Sequence, residues 1–254
     1  MSQRPPSAVV LVLHGGRESG TGPPPPGPLN LPRLRMRPFV HALTRATRST
    51  RPSGDGGPVL VRQVRYGHRG WNGDRADPLH DAVAALDALR EEAEAASGAG
   101  SAPPVVLLGH SMGARAALGA AGHPLVRGVV GLAPWCPPGD PVTQLAGRDV
   151  VLVHSDQDRM TSPQATQTFT ARARRAGART CMITVRGGDH AMIRRAPDWH
   201  RLTTELVTGL LGSGSLPGPV GAALALPPTA DPADGTLDLD RLRAATSEAA
   251  STSR

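Results

Sequence analysis

The chain reads VVLLGHSMGARAAL from Val105 to Leu118, and this stretch predicts the centre of the fold. Its four leading apolar residues are typical of a buried strand, and the residues after Met112 favour a helix. Ser111 lies between the two, with a glycine two positions away on either side. Such glycines let a strand and a helix pass closely at a sharp turn, where a Cβ atom would collide. The stretch therefore predicts a strand, a tight turn and a helix, with Ser111 on the turn.

Two roles fit Ser111. Its hydroxyl can act as a nucleophile if a neighbouring base removes the proton, or it can cap the N-terminus of the following helix. A cap alone would not require glycine on both sides. The pattern therefore favours the nucleophile.

Short apolar runs alternate with segments of helical periodicity along most of the chain, which is the pattern of a parallel sheet built from βα units. Most of the runs lack polar alternation, as expected where helices cover both faces of the sheet. The predicted strands are Val9–Leu13, Val59–Arg65, Val105–Leu108, Gly128–Leu132, Val150–His154 and Cys181–Val185. The predicted helices are Met36–Arg48, Pro78–Ala96, Met112–Ala121, Pro163–Ala176 and Pro197–Leu211. We expect an α/β fold with a mostly parallel sheet of about six strands and helices on both faces.

The composition changes at Gly212, where the chain reads GSGSLPGP. Glycine, serine and proline in this density are typical of a linker. We expect residues 1–211 to form one catalytic domain, a normal size for a single core. Residues 212–254 are predicted to be a linker and a flexible, low-complexity tail, in which Leu237, Leu239 and Leu242 favour at most one short helix.

The formal net charge of +7 does not by itself indicate a nucleic-acid partner. Every basic residue is arginine, no lysine occurs, and the arginines are scattered, which is typical of codon bias in a GC-rich genome. No apolar run is long enough to span a bilayer. The run from Ala8 to Leu13 is too short for a signal peptide. We therefore expect a cytoplasmic protein without nucleic-acid or membrane partners.

Two cysteines are too few for a disulfide framework, and their spacing is not that of metal ligands. Cys181 opens a predicted strand and is expected to be a small core residue, while Cys136 lies in a loop. The sequence implies neither a metal nor an organic cofactor.

A base and an acid for Ser111 are available after later strands. His190 follows the last predicted strand, in Gly187-Gly188-Asp189-His190, and is the candidate base. Asp156 and Asp158 both follow the strand Val150–His154, and either is a candidate to orient that base. The other aspartate then caps the turn, which is a favoured role for this residue type.

Residues 9 to about 211 resemble an α/β-hydrolase core, close to the dienelactone-hydrolase-like and serine-aminopeptidase-like esterase groups. The resemblance implies a serine hydrolase in which the nucleophile, acid and base follow in the order Ser111, aspartate, His190. It selects Asp158, because the family acid lies four residues after the histidine of a His-Gly-x-x-Asp segment. Ser155 stands here where the family often has glycine. The motifs that carry the resemblance are His14-Gly15-Gly16, Arg69-Gly70, Gly109–Gly113, the Asp158 segment and Gly188-Asp189-His190.

The same resemblance implies that two backbone amides bind the oxyanion of the reaction. One belongs to Met112, directly after the nucleophile. The other comes from the loop after the first strand, where Gly16 is preferred and Gly15 is the alternative. The residue types at these positions do not identify the donors, because the donors are backbone N–H groups.

Three tryptophans lie in or next to the loops that follow strand ends. Trp71 and Trp135 are candidates for an apolar substrate pocket, whereas Trp199 is expected to plug a loop against the sheet. Arg69, like Arg17, is a candidate partner for a substrate carboxylate, with pairing to another loop as the alternative.

Only about 16 residues separate Leu132 from Asp149, too few for a helical cap. An open site of this kind suits a small-molecule carboxylic ester or thioester, hydrolysed through an acyl-enzyme. Three other activities use the same residues: peptidase, lactonase and perhydrolase. A non-catalytic, ligand-binding member of the fold is a further alternative.

Overall fold

The computed structural model describes residues 6–49, 57–97 and 102–244. Its strands are β1 (Ala8–Leu13), β2 (Val59–Gln63), β3 (Val105–His110), β4 (Val126–Leu132), β5 (Asp149–Ser155), β6 (Arg179–Val185) and β7 (Thr236–Asp238). Its helices are α1 (Leu31–Arg35), α2 (Arg37–Ser49), α3 (Asp77–Ser97), α4 (Met112–Ala120), α5 (Pro163–Arg175), α6 (Ala196–Leu210) and α7 (Gly218–Leu224). The seven strands form one sheet in the order β2-β1-β3-β4-β5-β6-β7, and all neighbours are parallel.

Both faces of this sheet are buried. Val9, Leu11 and Leu13 of β1 pack into the core beneath α3, α4 and α5. Val10 and Val12 face the opposite core, beneath α2, α6 and α7. Because successive side chains of a strand point to opposite faces, a strand covered on both sides must be apolar throughout. This explains why the predicted strands show no polar alternation.

The sheet changes direction between β1 and β3. The chain moves from β1 to β2 on one side, returns to β3 on the other, and then adds strands outward from β3. Loops that leave such a switch point in opposite directions open a crevice at the carboxyl ends of the strands. Ser111 follows the end of β3 and therefore lies at this crevice.

The architecture predicted from sequence is confirmed for the first six strands and the five long helices. The residues between β4 and β5 contain only a 3-10 helix, Thr143–Leu145, so no helical cap is present there. None of the helices among the described residues is long and apolar enough to cross a membrane.

The structure differs from the expected flexible segment after residue 211. Helix α7 packs Val220 and Leu224 into the core beneath α2 and α6. Strand β7 pairs with β6, where Leu237 lies opposite Ile183, and makes the sheet seven-stranded rather than six-stranded. The sequence signal is weak because the glycines and prolines around α7 resemble a linker and β7 has only three residues. Residues 245–254 of the predicted tail lie outside the described residues.

The connection to β7 is also unusual. The strands that follow α4 and α5 are added in one direction along the sheet, and these two helices cover one face. Strand β7 is added in the same direction, but the helices that precede it, α6 and α7, cover the opposite face, together with α2. The β6–β7 connection therefore has the opposite hand, an arrangement that is rare in parallel sheets. The buried Arg174 of α5 fastens it, since its guanidinium donates to the carbonyl oxygens of Thr180 and, at 3.3 Å, of Ala223.

The substitution Leu224→Ala should lower the free energy of unfolding by about 2–5 kcal/mol, because it removes a buried side chain and leaves a cavity. Leu224 is 5% exposed. The matched change Leu29→Ala, at a residue that is 71% exposed, should have little effect. Urea denaturation of the three proteins measures the difference. Equal stability of Leu224→Ala and the parent would mean that α7 does not dock on the sheet.

Candidate active site

Ser111 occupies a strained turn between β3 and α4. Its φ of 54° and ψ of −119° lie in a region that side-chain-bearing residues rarely adopt, at a cost of about 1–3 kcal/mol. The hydroxyl does not cap the helix, so the capping alternative does not describe Ser111. Instead, the turn points the hydroxyl toward the loop after β6.

The two flanking glycines are required by close contacts. A Cβ atom on Gly109 would lie 2.5 Å from the Cα atom of Ala114 in the helix. One on Gly113 would collide with the carbonyl oxygens of Leu13 and His14, at the end of the neighbouring strand β1. Backbone atoms cannot move aside as a flexible side chain can. The sharp turn at Ser111 therefore depends on glycine at both positions.

The structure brings His190 to Ser111 and Asp158 to His190. The Nε2 atom of His190 lies 3.1 Å from the Oγ atom of Ser111. Its Nδ1 atom lies 2.8 Å from Oδ2 of Asp158. The His190 side chain is 16% exposed and that of Asp158 is fully buried. A nucleophile, a base and an orienting acid need this sequence of contacts.

Asp156 and Asp158 occupy different positions although they are two residues apart. The Oδ1 atom of Asp156 accepts a hydrogen bond of 2.8 Å from the amide of Gly187, and its side chain is exposed. Asp156 therefore joins the loop after β5 to the loop after β6, while Asp158 contacts His190. The nearby Ser155 is buried against Gly188, where a Cβ atom would lie only 3.1 Å from the serine Oγ. The absence of a side chain at Gly188 therefore leaves room for the Ser155 hydroxyl.

The Asp158 carboxylate is held in its ionised form. Burial alone would raise its pKa, but hydrogen bonds from His154 and His190 and from the amide of Thr161 outweigh burial and lower the pKa well below the ordinary value. An ionised carboxylate is the form that can stabilise a protonated imidazole. Asp158 is therefore ionised throughout the range in which histidines titrate.

Two further histidines support this site, and the sequence analysis assigned neither of them a role in it. The ring of His110 lies 5.0 Å from that of His190, and its Nε2–H donates to the His190 carbonyl oxygen over 2.9 Å. The Nε2 atom of His154 lies 3.1 Å from Oδ2 of Asp158. Their only sequence signal was their position, since each is the penultimate or final residue of a strand that leads into the site.

The amides implied for oxyanion binding lie next to Ser111. Among the described residues, neither the Met112 amide nor that of Gly16 has a hydrogen-bond acceptor. A Cβ atom on Gly16 would lie 2.8 Å from the carbonyl oxygen of Arg69 and 2.5 Å from the Met112 sulfur, so the loop is packed closely there. A Cβ atom on Gly15 would lie 3.4 Å from Cβ of Ser111, so this glycine is also adjacent.

The tryptophans form part of a packed cluster. Trp71 is 7% exposed and lies in the core, and its ring meets that of Trp135 edge-on at 6.2 Å. The guanidinium of Arg115 lies 3.9 Å from the first ring and 4.4 Å from the second. The same guanidinium forms a two-pronged ion pair with Asp140, with both bonds at 2.7 Å. Only the half-buried Trp135, whose amide donates to the carbonyl of Ser111, remains a candidate pocket residue. As expected, Trp199 is buried in the core.

The backbone of Arg69 joins two loops. Its carbonyl oxygen accepts from the Arg17 amide at 3.1 Å, and its amide donates to the Gly22 carbonyl at 3.0 Å. The side chain runs along Gly20, where a Cβ atom would lie 2.8 Å from its Cγ atom. Arg69 therefore makes the contacts expected if it pairs with another loop, which was the alternative to binding a substrate carboxylate. Its side chain is nevertheless exposed.

Neither cysteine is available as a nucleophile. Cys136 and Cys181 are both buried, and burial raises the pKa of each thiol to about 12. Both therefore remain protonated near neutral pH. In the part of the chain that the structure describes, no group of three or more potential ligands could hold a metal ion.

Replacing His110 with glutamine should flatten the dependence of stability on pH. Burial, with a smaller contribution from His190, lowers the pKa of His110 from 6.5 to about 3. Below pH 6.5 the unfolded chain therefore binds a proton that the folded chain does not, and stability falls toward pH 3. The loss approaches about 1.4 kcal/mol per pH unit. Urea denaturation between about pH 6 and 4 should show a slope smaller by that amount in His110→Gln. An identical slope in both proteins would mean that folded His110 binds the proton.

Neither a protein-family model nor a curated protein sequence matches the chain. Solved structures do match. An α/β serine hydrolase homologue from Coxiella burnetii is 18% identical, with 80% of this chain and 86% of that chain covered and a TM-score of 0.53. An esterase from Pyrobaculum calidifontis is 14% identical over 84% of this chain and 78% of that chain, with a TM-score of 0.54. Est1E from Butyrivibrio proteoclasticus is 12% identical, with 82% of this chain and 89% of that chain covered and a TM-score of 0.51.

These identities are low, so the matches bear on the fold rather than on the reaction. The matches cover most of this chain and most of each matched chain. Together with the parallel sheet and the turn at its switch point, they identify the architecture. The chain has the α/β-hydrolase fold.

Proposed function

We propose that this chain is a serine hydrolase that cleaves a small-molecule carboxylic ester, or thioester, through an acyl-enzyme intermediate. The observation that carries the proposal is the continuous hydrogen-bonded path from Ser111 through His190 to the ionised Asp158. The path begins at a serine whose strained turn exposes the hydroxyl at the crevice of the sheet. The proposal involves neither nucleic acid nor a membrane.

In the first half of the reaction, Nε2 of His190 accepts the proton of Ser111 as the serine Oγ bonds to the carbonyl carbon. The resulting imidazolium is stabilised by Asp158. The bond to the leaving group then breaks, and the imidazolium protonates the departing alcohol or thiol. In the second half, His190 takes a proton from water, whose oxygen attacks the acyl carbon. The bond to Ser111 then breaks, and the imidazolium returns a proton to the serine Oγ as the acid is released.

Negative charge develops on the carbonyl oxygen in both halves, and in this proposal two backbone amides beside Ser111 bind it. The Met112 amide lies at the positive end of α4, directly after Ser111, and the second donor is Gly16 or the adjacent Gly15. Amides without an acceptor inside the protein can bind this oxygen without breaking an existing bond. A single donor of this kind contributes about 3 kcal/mol to transition-state stabilisation.

Exposed apolar residues beside the site support a substrate with an apolar group. The loop after β5, which carries Asp158, presents Met160, which is 75% exposed. The loop after β6, which carries His190, presents Ile193, which is 70% exposed. The loops are joined where the Thr161 hydroxyl lies 3.3 Å from Nδ1 of His190. The other two large exposed apolar residues of the described chain, Leu29 and Leu31, also follow a strand end, that of β1. Covering a large apolar side chain contributes about 1.5–3 kcal/mol.

Two of the similar structures are described as an esterase and as a serine hydrolase homologue, which supports ester hydrolysis as the first activity to test. Peptidases, lactonases and perhydrolases use the same catalytic residues. A panel of esters, thioesters, amides and lactones of varied chain length separates these activities, with Ser111→Ala as the blank.

Hydrolysis of p-nitrophenyl esters should fall by about 10⁴-fold or more in Ser111→Ala and in His190→Ala, because each removes a group that takes part in bond making. Steady-state kinetics measure the loss. Parent-like rates in either variant would reject the proposed roles. If no substrate is turned over, labelling of Ser111 by a fluorophosphonate tests its nucleophilicity directly, and failure to label favours a non-catalytic, ligand-binding protein.

Asp158→Asn should also lower kcat by about 10⁴-fold, because the amide cannot stabilise the imidazolium. Asp156→Asn is the matched control, since its carboxylate bonds only the Gly187 amide among the described residues, and its activity should stay within a few-fold of the parent. The reverse order of effects would transfer the acid role to Asp156.

The double substitution Met160→Ser and Ile193→Ser should raise KM for an octanoyl ester about tenfold, which corresponds to about 1.4 kcal/mol of lost apolar contact. KM for the acetyl ester should be unchanged, because a short acyl group does not reach the exposed side chains. Met160→Leu with Ile193→Leu is the matched control that retains apolar character. An equal change for both esters would place the apolar binding region elsewhere.

A further inference from the structure

A second histidine, His154, shares the carboxylate oxygen that orients the proposed base. Oδ2 of Asp158 lies 2.8 Å from Nδ1 of His190 and 3.1 Å from Nε2 of His154. The Thr161 hydroxyl also donates to it, at 2.9 Å. His154 is fully buried at the end of β5, so it cannot touch a substrate. The proposed reaction gives it no role.

The charge of Asp158 determines which ring nitrogen of His154 carries the hydrogen that lies between them. The Nδ1 atom of His154 lies 2.8 Å from Oγ1 of Thr166, a hydroxyl that also donates to the carbonyl oxygen of Ser162 over 3.4 Å. The carboxylate of Asp158 is ionised and can only accept a hydrogen bond. Nε2 of His154, which lies 3.1 Å from Oδ2, is therefore the donor.

Asp158 does not need His154 in order to stay in place. Its other oxygen, Oδ1, accepts hydrogen bonds from the amides of Met160, at 2.7 Å, and Thr161, at 3.0 Å. These bonds and the Thr161 hydroxyl fix the carboxylate to its own loop. What the N–H of His154 adds is a partial positive charge beside the oxygen that faces His190.

We propose that His154 is a positioning residue of the triad: its Nε2–H withdraws charge from Oδ2 of Asp158 and so limits how strongly that carboxylate holds the proton on His190. The inference rests on the proposed function of Ser111, Asp158 and His190. A carboxylate that held this proton too strongly would keep His190 in its protonated form, which cannot accept the proton of Ser111.

The other titratable groups at this cluster do not titrate near neutral pH. Burial lowers the pKa of His110, which faces the His190 ring from β3, to about 3. Burial raises the pKa of Cys136, which contacts Thr166, to about 12. Both groups are therefore neutral across the pH range in which histidines become protonated.

The charged groups near this cluster are bound by residues other than His154. Arg35 of α1 acts electrostatically on His110. The carboxylates of the two neighbouring loops accept from backbone amides, Asp156 from that of Gly187 and Asp189 from that of Ile193. A substitution at His154 removes none of these contacts, so a change in the pH–rate profile of a His154 variant reports on Asp158 and His190.

The test compares His154→Phe with His154→Gln. Phenylalanine fills the buried space without a donor, whereas glutamine has an N–H the same number of atoms from the backbone as Nε2 of histidine. In His154→Phe, the acid limb of kcat/KM against pH should move up by about one pH unit, with KM little changed, as expected for one lost hydrogen bond to a charged group. At pH values below that limb, kcat/KM of His154→Phe is then about tenfold lower than that of the parent. In His154→Gln, the limb should return to its parent position.

His200→Phe is the control for the substitution itself, because His200 is a half-buried histidine of α6 that packs against Phe39 of α2. The acid limb of this variant should not move. Thermal unfolding checks that each variant folds. A His154→Phe protein that loses activity equally at every pH, or that behaves like His154→Gln, would overturn the proposal and leave His154 as a core residue.

The pH dependence of fluorophosphonate labelling is a second readout, which does not need a known substrate. A parent protein that labels at Ser111, with no shift in His154→Phe, rejects the role of His154 alone. A parent protein that neither labels nor hydrolyses any ester rejects the proposed function, and the role of His154 with it.

Discussion

The backbone conformation of Ser111 is the constraint on which the rest of the site depends. Its positive φ turns the chain from β3 into α4 within one residue. The turn is stable only because Gly109 and Gly113 have no Cβ atoms to strike the helix and the neighbouring strand. The unfavourable conformation is held by the parallel pairing of β3 with β1 and β4 on either side. Because the turn cannot relax, the hydroxyl stays at the crevice where the sheet changes direction.

The parallel sheet then determines which loops meet that hydroxyl. All strands end at the same edge, so the loop after β5 and the loop after β6 arrive beside the turn. The amide of Gly187 bonds the Asp156 carboxylate and holds the two loops together. His110 fastens the second loop to β3 through the carbonyl of His190. The path from Ser111 to Asp158 is thus built from three strands and two loop contacts.

The carboxylate of Asp158 is the most heavily hydrogen-bonded group of the candidate site. Two amides, one hydroxyl and two imidazoles surround it, and together they keep it ionised although its side chain is buried. Of the two candidate aspartates, Asp158 is the one whose carboxylate contacts His190. The segment from His154 to Thr161 supplies four of the five donors, so the local sequence builds most of the environment of its own acid.

The sequence by itself determined the first six strands, the turn at Ser111 and the order of the three polar residues, because apolar runs and flanking glycines are local signals. Tertiary structure decided what local signals do not contain. Strand β7 exists because β6 offers an open edge and the α2 face offers apolar surface to α7. Trp71 and Trp135 pack around Arg115 because three separate segments converge there. His110 gains its role from a contact with a residue 80 positions away, and the local His154–Asp158 pair meets His190 only because β5 and β6 end side by side. A periodicity cannot encode such contacts, since they depend on where the sheet brings strand ends together.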